Sequence, residues 1–116
     1  MNILKQSDEE ILKIANPILD TILQGINEKN WQLFSTHFAE SMKTDEARKN
    51  ITEQWANPEL PQQFSLEREF LAVLRQKDCV LVLWKNQSND IEGECLEMLY
   101  LQSQGEEVKV IGTWTR

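Results

Sequence analysis

The chain is short of the residues that most often announce a chemistry. It holds one histidine and two cysteines among its 116 residues, whereas a structural or catalytic zinc site takes three or four protein ligands. His37 and Glu40 form a single His-x-x-Glu pair, and two ligands do not make a metal site. No metal and no cofactor is therefore expected. Basic residues are outnumbered, 12 Lys and Arg against 19 Asp and Glu, for a net charge of −7. Nucleic-acid binding rests on cations that neutralise phosphates, and an acidic surface opposes it. An anionic membrane surface is disfavoured on the same ground. Lys43, Arg48 and Lys49 do not form a basic patch, because Asp45 and Glu46 interleave with them.

Long apolar runs are missing as well. The longest, Cys79–Trp84, falls far short of a membrane span. The first residues, Met1 to Asp8, carry no apolar stretch of signal-peptide length. With so few cysteines, that predicts a reducing, cytoplasmic setting. No glycine-rich loop joins a strand to a helix, so a nucleotide fingerprint is absent. Four glycines and three prolines leave little for linkers or disordered tails. The length suits one domain with one core over residues 1–116.

What is present is clear periodicity. Ser7-Asp8-Glu9-Glu10 reads as a capping box. Behind it Ile11, Ala15, Ile18, Ile22 and Ile26 recur at helical spacing. Pro17 either bends this helix or starts a new one after Asn16, and a single bent element ending near Lys29 is favoured. Gly25 reads as a close-packing point. Asn30 caps a short second helix, Trp31 to Phe38, and Thr44 or Asp45 starts a third that ends near Trp55, before Pro58 and Pro61.

After Pro61 the period becomes alternating. Four strands are expected, over 63–74, 79–85, 94–102 and 108–115, joined by polar hairpin connections. Helices followed by an antiparallel sheet define an α+β fold, with the helices on one face. Setting Leu74 opposite Cys79, Lys85 opposite Glu94 and Gln102 opposite Val108 sorts the side chains into two faces. The first holds Phe70, Ala72, Leu74, Leu81, Leu83, Met98, Tyr100, Val110, Gly112 and Trp114. Being nearly all apolar, it is expected to meet the helices, with Ile22, Phe34, Phe70, Met98, Tyr100 and Trp114 lining any pocket. The second face carries Leu71, Val73, Val80, Val82, Trp84, Leu99 and Ile111 beside Glu69 and Glu97. It is too apolar to stand in water, so it is expected to form a homodimer interface. Cys79 and Cys95 fall on opposite faces, which excludes a disulfide between them.

The element order, with Asn30-Trp31-Gln32-Leu33-Phe34 in the short second helix, resembles the nuclear-transport-factor-2-like, cystatin-like cone. That superfamily includes ketosteroid isomerase, scytalone dehydratase and polyketide cyclases. The resemblance covers nearly the whole chain and rests on element order and apolar pattern, with a sheet a strand or two short of the enzymes. It implies a pocket between helices and curved sheet, and a homodimer through the sheet. It transfers no catalytic residue, because the isomerases need a tyrosine paired with a carboxylic acid plus a carboxylate base. The only tyrosine here, Tyr100, has no acid beside it on its face.

Two functional classes follow. The favoured one is a non-catalytic module that binds a small hydrophobic ligand or a protein partner. The alternative is a small isomerase, dehydratase or cyclase using His37, whose ordinary pKa is near neutrality, or Glu97, a carboxylate among apolar neighbours. Arg68, Lys85 and Glu94 are expected to meet at the pocket rim, as an anion site or, more commonly, an exposed ion-pair cluster.

Overall fold

A computed structural model describes residues 2–116. Three helices, α1 (Asp8–Glu28), α2 (Trp31–Phe34) and α3 (Asp45–Trp55), precede four strands, β1 (Glu69–Arg75), β2 (Val80–Gln87), β3 (Glu94–Gln104) and β4 (Glu107–Thr115). The strands form one antiparallel meander in the order β1-β2-β3-β4, so the α+β expectation holds. No helix among the described residues is long and apolar enough to cross a membrane.

The helix starts are local events. Ser7 Oγ accepts from the Glu10 amide at 3.1 Å while the Glu10 carboxylate accepts from the Ser7 amide at 3.4 Å, closing the capping box. Asn30 and Thr44 cap α2 and α3 with the side-chain oxygen alone, accepting from the Leu33 and Ala47 amides. Pro17 neither splits α1 nor ends it. The helix stops at Lys29, whose φ of 54° is left-handed. Gly25 lets α2 approach: a Cβ there would lie 2.5 Å from the Phe34 backbone. A short 3-10 turn at Ile3–Lys5, not foreseen from the sequence, docks on the sheet through the Ile3 amide, which donates to Ser103 Oγ at 2.9 Å. The second helix is shorter than expected, ending at Phe34. The first strand starts at Glu69, preceded only by an isolated Phe64–Ser88 bridge.

The sheet faces are the reverse of the expected assignment. Val80, Val82, Trp84, Leu99 and Leu101 lie on the helix-covered side and are essentially inaccessible, with α1 residues Ile11, Ala15, Leu19, Ile22 and Leu23 above them. Val73 packs against this core, half-buried. These residues, five of them assigned to a dimer interface, form the interior, each large aliphatic side chain contributing about 1.5–3 kcal/mol through burial. The outer side carries the cross-strand rows Ala72–Leu83–Met98–Trp114 and Leu74–Leu81–Tyr100–Gly112. Met98, Tyr100 and Trp114 therefore do not line a helix-side interior; Tyr100 and Trp114 meet edge-on, ring centroids 5.5 Å apart.

Two β-bulges complete the correction. Leu71 is the extra residue between Phe70 and Ala72 in β1, so Phe70 pairs with Trp84 and leaves the outer row. Ile111 is the extra residue in β4, which sends Val110 to the helix side opposite Leu101. Leu71 stands exposed at the sheet edge and Ile111 is half-buried; neither belongs to the face predicted for it. Two hairpin registers are displaced by two residues, with Leu74 opposite Leu81 and Lys85 opposite Leu96, which leaves the grouping of side chains intact. The third places Gln102 opposite Lys109 and not Val108, a shift of one that the Ile111 bulge undoes from Gly112 onward.

Candidate functional site

A cleft lies where the helices part from one end of the sheet, with a volume of about 420 Å³. Ile26 of α1, Phe34 of α2, and Ile51, Gln54 and Trp55 of α3 form one wall. Leu60, Pro61 and Phe64 of the connecting segment form the second, and Cys95 with Thr113–Arg116 at the ends of β3 and β4 the third. Phe34 and Trp55 meet edge-on at 5.5 Å. The connecting segment is held by Asn27, whose side chain accepts from the Phe64 amide at 2.7 Å and donates to the Phe64 carbonyl at 2.9 Å.

Of the six residues expected to line a pocket, only Phe34 and Trp114 do so. Ile22 is buried in the core, Met98 and Tyr100 sit on the outer sheet face, and Phe70 is at the exposed edge of β1. The residues missed, Ile51, Trp55, Leu60, Pro61 and Phe64, come from α3 and the segment after it. The one signal for them was the cluster of apolar side chains around two prolines in an otherwise polar stretch.

Glu97 is not itself a wall of this cleft but neighbours Thr115, which is. It pairs across the strands with Thr115 on one side and Trp84 on the other, and only 1% of it is exposed. Its Oε2 accepts from the Thr115 hydroxyl at 2.8 Å. Its Oε1 has no hydrogen-bond partner, and neither has the buried Arg68 Nε; the Asn86 amide donates to the Ser65 carbonyl at 3.0 Å. Burial pushes the Glu97 carboxyl above the usual carboxylate range, against the opposing pull of Thr115, Asn86 and the positive charge of Arg68.

Arg68, Lys85 and Glu94 meet as expected, with Glu69 and Asn86, around a separate hollow of about 230 Å³. The Arg68 guanidinium turns to α1, where Nη1 donates to Asp20 at 2.7 Å and Nη2 to the Asn16 carbonyl at 3.0 Å, with the group 5.7 Å from the Trp84 ring centroid. Lys85 joins Glu94 at 3.1 Å and Glu69 at 4.0 Å on the surface. His37 is absent from the cleft walls. Its carbonyl accepts from Val110 toward the other end of β4, and burial together with Lys109 holds its pKa below the ordinary value. Cys79 and Cys95 are free. No cluster of three or more potential metal ligands occurs among the described residues.

Fold and site together define an α+β domain with a helix–sheet cleft and one buried carboxyl beside it. Comparison with family models, with curated proteins and with solved structures finds no match.

Proposed function

We propose that this protein is a small-ligand-binding module of the nuclear-transport-factor-2-like type, with the 420 Å³ cleft as its binding site. The observation that carries this reading is the cleft itself: a volume within the range of small-molecule sites, with mostly apolar walls and a few polar groups at one end. Of the two residues offered for the acid–base alternative, His37 lies away from the cleft and Glu97 is buried and not among its walls.

A tryptophan in the cleft wall, Trp55, makes the test direct. Titration with small apolar compounds should perturb tryptophan emission and raise the unfolding temperature. Replacing Ile26 with Trp, which fills the space between α1 and α3, should abolish both responses in a folded protein. A full response in that variant would remove the cleft from consideration.

The homodimer belongs to the same proposal, through the outer sheet face. Leu74 and Trp114 there are 45% and 49% exposed, and Leu83, Met98 and Tyr100 lie between them half-buried, an apolar patch with no helix over it. Sedimentation of the protein at micromolar concentration should show a dimer, converted to a folded monomer by Met98→Lys. A monomeric unmodified protein would end this part of the reading.

A further inference from the structure

The cleft reaches an open edge of the sheet. β4 is an outer strand in the order β1-β2-β3-β4, so one of its sides has no strand beside it. The first part of that side is already taken. Residues 37–39 run parallel to it: the Val110 amide donates to the His37 carbonyl at 2.8 Å, and the Ala39 amide to the Val110 carbonyl at 2.9 Å. Beyond Val110 no other segment of the described residues bonds to this edge. The ladder shows which backbone groups stand there. Arg116 and Leu96 exchange both backbone hydrogen bonds, at 3.0 and 2.7 Å. Antiparallel ladders alternate between pairs that exchange bonds and pairs that do not. Thr115 opposite Glu97 and Thr113 opposite Leu99 are of the second kind. Their amides and carbonyls therefore point away from β3, toward the open edge, and both threonines are walls of the cleft.

We infer that the cleft takes a short extended peptide, added to the sheet as a strand paired with the backbone of Thr113 and Thr115. This rests on the cleft being the binding site and names the class of its ligand. A purely apolar occupant would take water from the edge amides and carbonyls and return nothing, and a backbone polar group left unpaired away from water is costly. A peptide backbone returns a donor and an acceptor at every second residue, at the spacing the strand already sets. The same edge accepts this kind of partner within the chain, since residues 37–39 pair with Val110. Side chains of an added strand alternate between its two faces. Every second one enters the space walled by Phe34, Ile51, Trp55 and Phe64, which selects apolar residues at those positions. Recognition then divides as in other strand-addition sites: the backbone supplies affinity and the alternate pocket supplies specificity.

Calorimetry with acetyl-Leu-Val-Leu-amide, with its two analogues N-methylated at the valine or at the second leucine, and with indole tests this. Successive amides of an extended chain point to opposite sides, so one methylation should weaken binding about tenfold and the other about twofold or less. Thr113→Pro removes an outward amide from an edge strand, a place where proline is tolerated. It should weaken the parent peptide about fivefold or more and leave indole within about twofold. Hydrogen exchange on the unmodified protein gives a readout that does not need the Pro variant to fold: the Thr113 and Thr115 amides should exchange more slowly with the parent peptide bound. Equal effects of the two methylations, unchanged exchange at Thr113 and Thr115, or binding of indole without the peptide would overturn the strand pairing and leave the cleft standing. If neither indole nor the peptide binds, the cleft reading fails and the inference with it.

Discussion

Helices α1 and α3 are both amphipathic and both begin with a side-chain cap, yet they serve the fold differently. α1 buries Ile11, Ala15, Ile18, Leu19, Ile22, Leu23 and Gly25. α3 buries no residue and touches the core only through Ile51 and Trp55, each half-buried. Those same two side chains are walls of the cleft. One helix is therefore a scaffold, and the other is a wall held mainly by its contact with the space it encloses. Helical periodicity alone does not separate these roles. The number of apolar side chains on the packed face does.

The largest expected effect comes from removing an α1 contact. Leu19→Ala empties a site with no solvent exposure and should cost about 2–5 kcal/mol. Ile51→Ala, the matching change on α3, should cost about 1 kcal/mol or less. Equilibrium denaturation measures both. Comparable losses would show that α3 is part of the same cooperative core, and the contrast between the helices would collapse.

Much of α1 was legible because its signals are local. Ser7, Glu10, Asn30 and Thr44 cap their helices within three residues of themselves, and the strand alternation after Pro61 likewise needs no tertiary information. The sheet faces were not legible from pattern, for two reasons. Both faces are apolar, so hydrophobicity does not choose between them. Glu69 and Glu97 made the second face the less apolar of the two, which sent the helices to the other one, whereas the fold buries Glu97 and gives it the Thr115 hydroxyl. The bulge at Leu71 carries no glycine or proline to mark it, whereas the one at Ile111 stands beside Gly112, a glycine inside a strand pattern that was a usable signal. Cleft walls from Ile51, Trp55 and Phe64 arise from packing between segments distant in sequence, which periodicity does not record.

The next effect is smaller and depends on pH. Burial raises the Glu97 carboxyl above its ordinary range in the folded protein. Between the unfolded pKa, about 4.3 for a glutamate, and the higher folded value, the native state binds more protons than the unfolded chain. Stability contributed by this group is therefore present at acid pH and lost as pH rises through that window. Glu97→Gln keeps the shape and removes the titration, so it should be more stable than the unmodified protein at pH 8, by about 1–3 kcal/mol, and indistinguishable near pH 4. Denaturant midpoints across pH 4–8 check this. A destabilised Gln variant at pH 8 would mean that the carboxylate already has a partner in solution.

The smallest effect bears most directly on how α3 behaves. Thr44 Oγ1 accepts from the Ala47 amide at 3.1 Å and holds the first turn of α3. Removing a cap of this kind costs about 1 kcal/mol of helix stability. If α3 opens while α1 and the sheet stay folded, that loss falls on the local equilibrium and not on global unfolding. Thr44→Ala should then leave the denaturation midpoint almost unchanged while amides from Arg48 to Trp55 exchange faster, by up to about fivefold. Amides of α1 should not respond. Ser7→Ala, the same change at the start of α1, should instead lower the global midpoint, because α1 does not open without the core. Hydrogen exchange on the two variants decides between a hinged wall and a fixed one: equal global destabilisation by both would fix α3 to the core and make the cleft a rigid space.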